Sequence, residues 1–540
     1  MVFSTEKNLI SDDVFKILQE LRIDARKLNA VSVHGPAALG DLENPSQLLV
    51  LFEESHPLKI YKRKGFPKIE LILLIGKDEL RKDCAEESIG GAAAGSFLLP
   101  YRPVLNPDIL EKLDVLYKRH VIVEALQNLI LEHRLASMRL LIKPEFFLYD
   151  KLKRLSIIYP PIKPYIEASF KEPSREALRI PLRGFEKALK QLEAEEMVIE
   201  KNGAWSPAEK FVLETLSKSS IYTKFSKDLE HVFKLYLNAN LSSPLEPIKD
   251  LRLDLRTLKP IKIPEPSQLI EIETSLGPQP LLIDLGIKDF IERVYGVKKD
   301  EIRLKKAAGV LNAAYIAEFD LDGRTMELFI KKYLNWTDFK WIVAWLWAIG
   351  VKNFSLFASV RMSNEIYFVN KLTELGFNAA EILHVNWPRK TLFQKFINGK
   401  NLVAVLTSST DSEEFEAKSF KVGKLLGELH RKGICMGDCN PFSFIFSPDG
   451  KVYLVDLEQC FYDESFAWDL AELLYYTCHY LDTDLVDVFG TSLVEGYLRT
   501  GETETVLEAL DLKYARIFAP MTPPWIQVKV KDAIMKILKS

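Results

Sequence analysis

The order of apolar and polar residues over 429–458 predicts the end of a helix, a polar loop and a β-hairpin. The hairpin would have a first apolar strand at Phe444–Phe446, a Ser-Pro-Asp-Gly turn at 447–450 and an apolar return strand. Asp438 precedes the first strand, and Asp456 follows the second. Because a short turn brings the outer ends of two antiparallel strands together, we expect the two carboxylates to lie close in space. Two converging acids suit a divalent metal ion and a group that accepts a hydroxyl proton.

Strands and helices are also predicted upstream of this stretch, over the region that begins at residue 284. In chain order they are a strand at Ala314–Phe319, a turn at Asp320–Gly323, a return strand at Met326–Tyr333, a helix at Asn364–Leu375, a strand and polar turn at Phe393–Gly399, and an amphipathic helix at Phe415–Lys432. The pattern predicts a mixed α and β domain that includes the hairpin.

The N-terminal half has a different organisation. A strand, a glycine turn and a second strand are predicted over Asn29–Phe52, and helical periodicity follows over 108–170. A helix at Arg183–Leu192 precedes a small hairpin with its turn at Lys201–Gly203. Residues 240–283 are rich in proline and turn signals, so we expect a partly extended linker there.

Composition places the chain among globular proteins. Its 540 residues predict about three or four domains, and 47% of them are hydrophobic. A net charge of −3 argues against binding nucleic acid over the whole surface, although a local basic face remains open. No apolar run has membrane-spanning length and the N-terminus lacks signal-peptide features, so we expect a cytoplasmic protein with no membrane partner. The five cysteines, an odd number, fit reduced thiols.

The stretch around Asp438 resembles the catalytic core of protein-kinase-like enzymes, especially the atypical archaeal kinases of the RIO type and the small kinase of the KEOPS complex. The loop typical of these enzymes is H-G-D-L-x-P-x-N, and residues 436–443 are M-G-D-C-N-P-F-S. The aspartate matches, whereas Met436 replaces the histidine and Ser443 replaces a metal-binding asparagine. Asp456 begins an Asp-Leu-Glu sequence at the place of D-F-G.

The resemblance assigns roles along the C-terminal domain. Asp438 would orient the attacking hydroxyl or water, and Asp456 with Ser443 would bind magnesium. Lys331 would pair with the ATP phosphates, and Glu365 would hold that lysine in place, although a first-turn glutamate favoured by the helix dipole explains Glu365 almost as well.

Three further residues complete this set. Gly309 would be the remaining glycine of the phosphate-covering loop, and Phe396 would lie at the hinge whose backbone binds adenine. Asp469 would accept hydrogen bonds from the catalytic-loop backbone as a structural anchor. Only about ten residues separate Asp456 from the helix that contains Asp469, so we expect no phosphorylation-controlled activation segment.

The N-terminal region resembles a nucleotidyltransferase domain that has lost its metal site. The family pattern is G-S followed by two acids at a strand end, and this chain has Gly35-Pro36 and then Gln47 and Leu49 in the places of the acids. Glu70 is the one candidate for a third acid. The resemblance implies a binding or scaffolding remnant, and an unrelated α/β domain with a glycine turn is an equal alternative.

The helix and hairpin after residue 171 resemble a winged helix. Its basic residues Arg183, Lys187 and Lys190 are offset by Glu186 and Glu193, which favours a structural role over DNA binding.

Together these observations predict a multidomain α/β and α+β protein. Its parts would be a degenerate nucleotidyltransferase-like domain at 1–107, a helical extension at 108–170, a winged-helix module at 171–239, the linker at 240–283 and a bilobal kinase-like domain at 284–540. The predicted function is that of an atypical Ser/Thr protein kinase or ATPase that uses ATP and Mg, with a protein substrate or partner. The alternatives are a non-catalytic pseudokinase scaffold and a small-molecule kinase.

Overall fold

The chain divides into two compact units. A computed structural model describes residues 5–170, 173–218, 261–307, 313–334, 354–409, 411–463 and 466–539. The first unit comprises residues 1–132 and 140–271, and the second comprises 133–139 and 272–540. Both contain helices and sheets, so the expectation of a multidomain α and β protein is confirmed at this level. Among the helices of the described ranges, none combines the length and apolar character that crossing a bilayer requires.

A mixed five-stranded sheet forms the core of the first unit. Its strands are β1 (Leu28–His34), β2 (Ser46–Phe52), β3 (Lys59–Lys62), β4 (Ile69–Gly76) and β5 (Tyr101–Leu105). The strand order is β3-β4-β2-β1-β5, in which β2 and β4 are parallel and the other neighbours are antiparallel. Apolar side chains of β1, β2 and β4 pack together with those of the first helix in one cluster, which excludes water from this sheet face.

Helices and three short strands complete the first unit. The helices are α1 (Thr5–Glu20), α2 (Lys77–Glu86), α3 (Pro107–His133), α4 (Pro144–Ile158), α5 (Lys163–Phe170), α6 (Arg175–Ala194) and α7 (Glu209–Lys218). The strands are β6 (Leu140–Ile142), β7 (Val198–Lys201) and β8 (Ala204–Pro207), with β8 between the other two. The short 3₁₀ helices are Ala25–Lys27, Pro36–Leu39, Ala94–Leu98, Pro160–Ile162 and Pro266–Leu269.

The helix and hairpin after residue 171 have the elements that the sequence predicts. Helix α6 begins at Arg175, eight residues before the predicted start, because Ser174 caps it by accepting a hydrogen bond from Ala177 N. The hairpin turns at Asn202 and Gly203, both with positive φ. Whether these elements form a winged helix stays a prediction.

An amide and an apolar side chain occupy the positions at which a nucleotidyltransferase would have its two acids. Gln47 is buried in β2 and its Oε1 accepts a hydrogen bond from Ser96 Oγ at 3.0 Å. Leu49 is fully buried, and Glu70 is half-buried on β4. The side chains of β2 therefore serve packing, while the assignment of the domain to that family stays a prediction.

Part of the predicted linker is regular structure. Ile270–Thr274 and Gly277–Pro280 form neighbouring strands, β9 and β10. Gly277 has a φ of 96°, and Thr274 Oγ1 donates to its carbonyl oxygen, so a tight turn joins the two strands. The earlier residues of this stretch, 240–260, lie outside the described residues.

A five-stranded antiparallel sheet opens the second unit. Its strands are β11 (Arg303–Lys306), β12 (Ala313–Leu321), β13 (Arg324–Lys332), β15 (Ile382–Asn386) and β16 (Thr391–Lys395), in the order β11-β12-β13-β16-β15. The remaining strands are β14 (Asn378–Ala379), β17 (Lys400–Asn401), β18 (Ile434–Cys435), β19 (Phe444–Phe446), β20 (Val452–Leu454) and β21 (Phe461–Tyr462).

Nine described helices belong to the second unit. They are α8 (Ile287–Tyr295), α9 (Ala358–Glu374), α10 (Leu402–Ser408), α11 (Ser412–His430), α12 (Ala467–Cys478), α13 (Val486–Tyr497), α14 (Thr503–Ala509), α15 (Leu512–Phe518) and α16 (Pro524–Ile537). Short 3₁₀ helices lie at Arg134–Arg139, Pro441–Ser443 and Leu457–Gln459. In chain order, this five-stranded sheet comes before a mostly helical part of the unit. Both parts contribute residues to the candidate site.

Candidate active site

Lys331 lies near the end of β13, at the centre of its sheet. It pairs with Ala314 on one side and with Leu392 on the other. Because side chains alternate along a strand, Lys331 is buried whereas the adjacent Lys332 is exposed. The Lys331 Nζ lies 2.7 Å from Glu365 Oε2. The strand thus directs one of two neighbouring lysines into the protein.

Glu365 is held at the middle of a buried helix face. Helix α9 begins at Ala358, six residues before the predicted start, so Glu365 is not in the first turn and the helix-dipole explanation does not apply. Tyr333 Oη donates to Glu365 Oε2 at 2.6 Å, and Gln394 Nε2 donates to Oε1 at 3.3 Å. Burial raises the pKa of Glu365, while its contacts favour one fixed position of the carboxylate.

The hairpin around the two aspartates has the predicted register. Phe444 pairs with Leu454, and Phe446 pairs with Val452. Asp456 follows the second strand with a φ of 59°, in the left-handed region, and its carboxylate is ion-paired with Lys331. An unusual backbone conformation of this kind directs the carboxylate toward the lysine rather than along the strand.

Asp438 lies in the loop before the hairpin. Asn440 Nδ2 donates to its Oδ1 at 2.8 Å. Burial, together with the negative charge of Asp456, raises the pKa of Asp438 to about 6. The charge of Asp456 thus acts on Asp438, while the convergence of the two carboxylates stays a prediction.

Two residues of this cluster were missed by sequence reasoning. Glu458 Oε2 lies 3.0 Å from Lys331 Nζ, and its Oε1 lies 2.9 Å from Nη1 of Arg361 on α9. All three side chains are buried. The sequence offered two signals for this pair. Glu458 stands in the place of the usual glycine of D-F-G, and Arg361 precedes Glu365 by four residues. Only the tertiary contacts reveal that the two side chains pair.

Three carboxylates consequently surround one lysine. Burial alone would lower the pKa of Lys331, but the neighbouring negative charges raise it well above its usual value. The charges of Lys331 and Arg361 overcome the effect of burial on Glu458 and lower its pKa. The arrangement keeps an ammonium group charged inside the protein.

The backbone of the loop around Asp438 is anchored by the start of α12. Asp469 is buried and accepts hydrogen bonds from the backbone N–H groups of Met436 and Gly437. Glu472, one turn later, accepts from Cys439 N at 2.8 Å. These contacts fix the backbone on both sides of Asp438, which is the geometry expected of Asp469.

Oxygen donors suited to a divalent cation lie on this side of the hairpin. Carboxylate oxygens of Glu365, Asp456 and Glu458 all lie within 4.8 Å of one another. Ser443 is buried and its Oγ lies 3.5 Å from the carbonyl oxygen of Asp438. Carboxylate oxygens are ligands that Mg²⁺ accepts, so the three carboxylates fit such an ion. That Asp456 and Ser443 would hold it stays a prediction from the family resemblance.

The two remaining predicted site residues are less informative. Gly309 lies outside the described residues. Phe396 is half-buried directly after β16, and β17 begins at Lys400, so a short turn joins the two strands at the predicted hinge. Strand β21, which follows Asp456 in the chain, pairs with β18.

Comparison with known proteins gives distant similarities to kinase-like proteins. No protein-family model matches the chain. A 3-deoxy-D-manno-octulosonic acid kinase of Photobacterium damsela subsp. piscicida is 28% identical over 93 residues, which are 17% of this chain and 38% of that protein. A probable bifunctional tRNA threonylcarbamoyladenosine biosynthesis protein of Methanocaldococcus jannaschii is 26% identical over 96 residues, which are 18% of this chain and 16% of that protein.

The chain therefore matches well under half the length of either relative. These similarities support a distant relationship to kinase-like proteins at a coarse level.

Proposed function

We propose that the second unit is an ATP- and Mg-dependent phosphotransferase that transfers the γ-phosphoryl group to a hydroxyl, with a protein serine or threonine as the acceptor. The observation that carries the proposal is the contact of Lys331 with both Glu365 and Asp456. This arrangement provides a phosphate-binding cation, its anchor and a metal ligand in one cluster.

Lys331 would neutralise charge on the ATP phosphates. In the structure it is paired with Asp456 as well as with two buried glutamates. When a nucleotide binds, the phosphates would replace Asp456 as the partner of Lys331, while Glu365 and Glu458 keep the ammonium in place. Two retained anchors restrict the lysine at the moment when phosphate charge develops.

Asp438 would orient the acceptor. Its carboxylate is fixed by Asn440 and by the backbone contacts of Asp469 and Glu472 on either side. A fixed carboxylate can accept a hydrogen bond from the attacking hydroxyl and hold its oxygen in line with the γ-phosphorus. A magnesium ion bound by Asp456 and Ser443 would neutralise charge between the β- and γ-phosphates.

The competing functions are a non-catalytic scaffold and a small-molecule kinase. The scaffold is favoured by Ser443 in the place of asparagine, since a hydroxyl is a weaker metal ligand than an amide oxygen. The small-molecule kinase is favoured by the short, strand-paired segment after Asp456, which offers little surface for an extended peptide.

A direct test uses the full chain, γ-labelled ATP and magnesium, with casein-like proteins and with small hydroxyl compounds as acceptors. Asp438→Asn and Asp456→Asn should each abolish transfer, whereas Asp532→Asn, on the exposed face of α16, should not. Transfer to proteins supports the proposal, and transfer confined to small compounds favours the second kinase function. ATP binding without turnover would favour the scaffold, and the absence of an ATP-dependent thermal shift would exclude both kinase functions.

A further inference from the structure

An aromatic cluster lies beside Asp438 and has no part in the proposed chemistry. Phe442 contacts Tyr480 with ring centroids 5.5 Å apart and Tyr476 with centroids 6.2 Å apart. The two tyrosine rings are 5.8 Å apart. Phe442 is 39% exposed and Tyr480 is 37% exposed. Two large aromatic rings at the protein surface therefore adjoin each other, with a half-buried third ring beneath them.

Hydrogen bonds connect this cluster to Asp438. Asn440 donates to Asp438 Oδ1 through its Nδ2 and accepts from Phe442 N through its Oδ1. The position of Phe442 is thus set by the same amide side chain that holds the proposed hydroxyl-orienting carboxylate.

Tyr476 lies on the same face of α12 as Glu472, which accepts a hydrogen bond from Cys439 N and precedes Tyr476 by four residues. Tyr480 lies two residues after the end of α12, and its backbone N–H donates to the carbonyl oxygen of Thr477. Burial raises the pKa of Tyr476, and the hydrogen bond with Tyr480 and the negative charge of Asp438 add to that effect.

Acidic residues border the outer end of this face. Asp482 and Asp484 follow Tyr480 by two and four residues, and both are exposed. A basic side chain, Lys529, also lies at this edge: its Nζ donates to the carbonyl oxygen of Thr483 and lies 3.8 Å from Asp487. The His479 ring contacts Tyr480, with centroids 4.8 Å apart. Aromatic faces attract cations, and the acids add to that attraction, whereas a phosphate-rich acceptor would be repelled.

We propose that Phe442, Tyr476 and Tyr480 form an acceptor subsite that receives a cationic side chain, arginine or lysine, located near the hydroxyl to be phosphorylated. The inference rests on the proposed function, because that function makes Asp438 the reacting end of the acceptor path. It adds a substrate preference: basic serine- or threonine-containing segments bind better than neutral or acidic ones.

The test compares the binding of matched peptides. Each peptide contains one serine and one variable residue, which is Arg, Gln or Asp. The variable residue lies two, three or four positions from the serine. Affinities are measured by fluorescence anisotropy with the full chain in the presence of Mg and a non-hydrolysable ATP analogue. We expect the best Arg peptide to bind about two- to fivefold more tightly than its Gln counterpart, the range that an exposed cation–π contact provides.

Substitutions then assign the preference to the rings. Phe442→Leu and Tyr480→Leu should each bring the affinities for the Arg and Gln peptides to the same value. Phe442→Tyr and Tyr480→Phe, which keep a ring, should preserve the preference for the Arg peptide. A ratio of two dissociation constants does not depend on the fraction of folded protein. Equal affinities in the wild type, a preference for Gln or Asp, or an Arg preference that persists in the double leucine variant would each overturn the subsite.

Parallel γ-phosphoryl transfer assays separate this inference from the proposed function. An Arg preference in binding without any transfer would support the subsite and contradict the phosphotransferase. Transfer at equal rates to Arg and Gln peptides, with equal affinities, would support the phosphotransferase and contradict the subsite.

Discussion

Arg361 Nη1 lies 2.9 Å from Glu458 Oε1, and both side chains are buried. The pair joins α9, which contains Glu365, to the 3₁₀ turn that follows Asp456. Because Glu458 also contacts Lys331, it links the proposed phosphate-binding lysine to two elements that must keep their relative positions. A buried acid shared by two cations is both a structural and an electrostatic element of the site.

Removing Glu458 should destabilise the second unit strongly. Glu458→Ala leaves Arg361 buried without this carboxylate, and breaking a buried pair in this way costs about 3–5 kcal/mol. Urea unfolding of the full chain checks this through the free energy of unfolding of the second unit. As a control, Glu381→Ala removes an exposed pair with Lys395 and should change it by less than about 1 kcal/mol. Equal effects of the two substitutions would contradict the proposed importance of burial.

Two adjacent lysines offer a matched test of the phosphate-binding role. Lys331→Met should lower the rate of phosphoryl transfer by roughly 10²–10³-fold, because it removes a charge that is positioned to stabilise the transferring phosphate. Lys332→Met, on the opposite and exposed face of β13, should leave the rate within about twofold. Initial rates with labelled ATP measure both, and a similar loss in the two variants would indicate a general effect of charge instead.

Ser443 should determine the magnesium requirement. Ser443→Ala removes the hydroxyl that would contribute to metal binding and should raise the Mg concentration for half-maximal transfer by roughly tenfold. Ser443→Asn should lower that concentration if the buried site accommodates the larger side chain. Titration of activity with Mg at saturating ATP measures the effect, and identical Mg dependence in the wild type and Ser443→Ala would exclude Ser443 as a ligand.

Asp469 should stabilise the loop around Asp438. Asp469→Asn keeps the shape but replaces an acceptor oxygen by a donor that faces a backbone N–H, which costs about 1–3 kcal/mol for the unsatisfied group. Urea unfolding measures the loss, with Asp532→Asn as an exposed control that should stay within about 0.5 kcal/mol. A loss no larger than that of the control would show that the contacts with Met436 and Gly437 are not required for stability.

His34 should make the first unit sensitive to acid. Burial lowers the pKa of His34 from 6.5 to about 3, so below pH 6.5 the unfolded chain binds a proton that the folded protein excludes. Its contribution to stability is complete above the unfolded pKa and is lost as the pH falls toward 3. Between pH 7 and pH 5 the loss is about 2 kcal/mol, at about 1.36 kcal/mol per pH unit.

The pH dependence of urea unfolding checks this effect. His34→Asn should reduce the slope of stability against pH in that range, even though it also loses the contacts with Ser32 and Ser96. An unchanged slope in His34→Asn would assign the acid sensitivity to other groups.

The sequence by itself determined the local elements of the candidate site. Turn residues and apolar runs are short-range signals, so the hairpin that joins Asp438 to Asp456 and the alternation of Lys331 and Lys332 could be predicted from neighbouring residues. The position of Asp469 at the start of a helix was implied by the family resemblance. The strands at 270–280 depend on backbone pairing that proline-rich composition does not describe.

Only the tertiary structure decided which charges share the interior. Glu458, Arg361 and Lys331 are separated by up to 127 residues in sequence, and burial rather than spacing brings them within 3.0 Å of a partner. The same holds for the rings of Phe442 and Tyr480, which come from separate segments and lie with centroids 5.5 Å apart. Long-range packing and desolvation set these contacts, and neither leaves a periodic pattern in the chain.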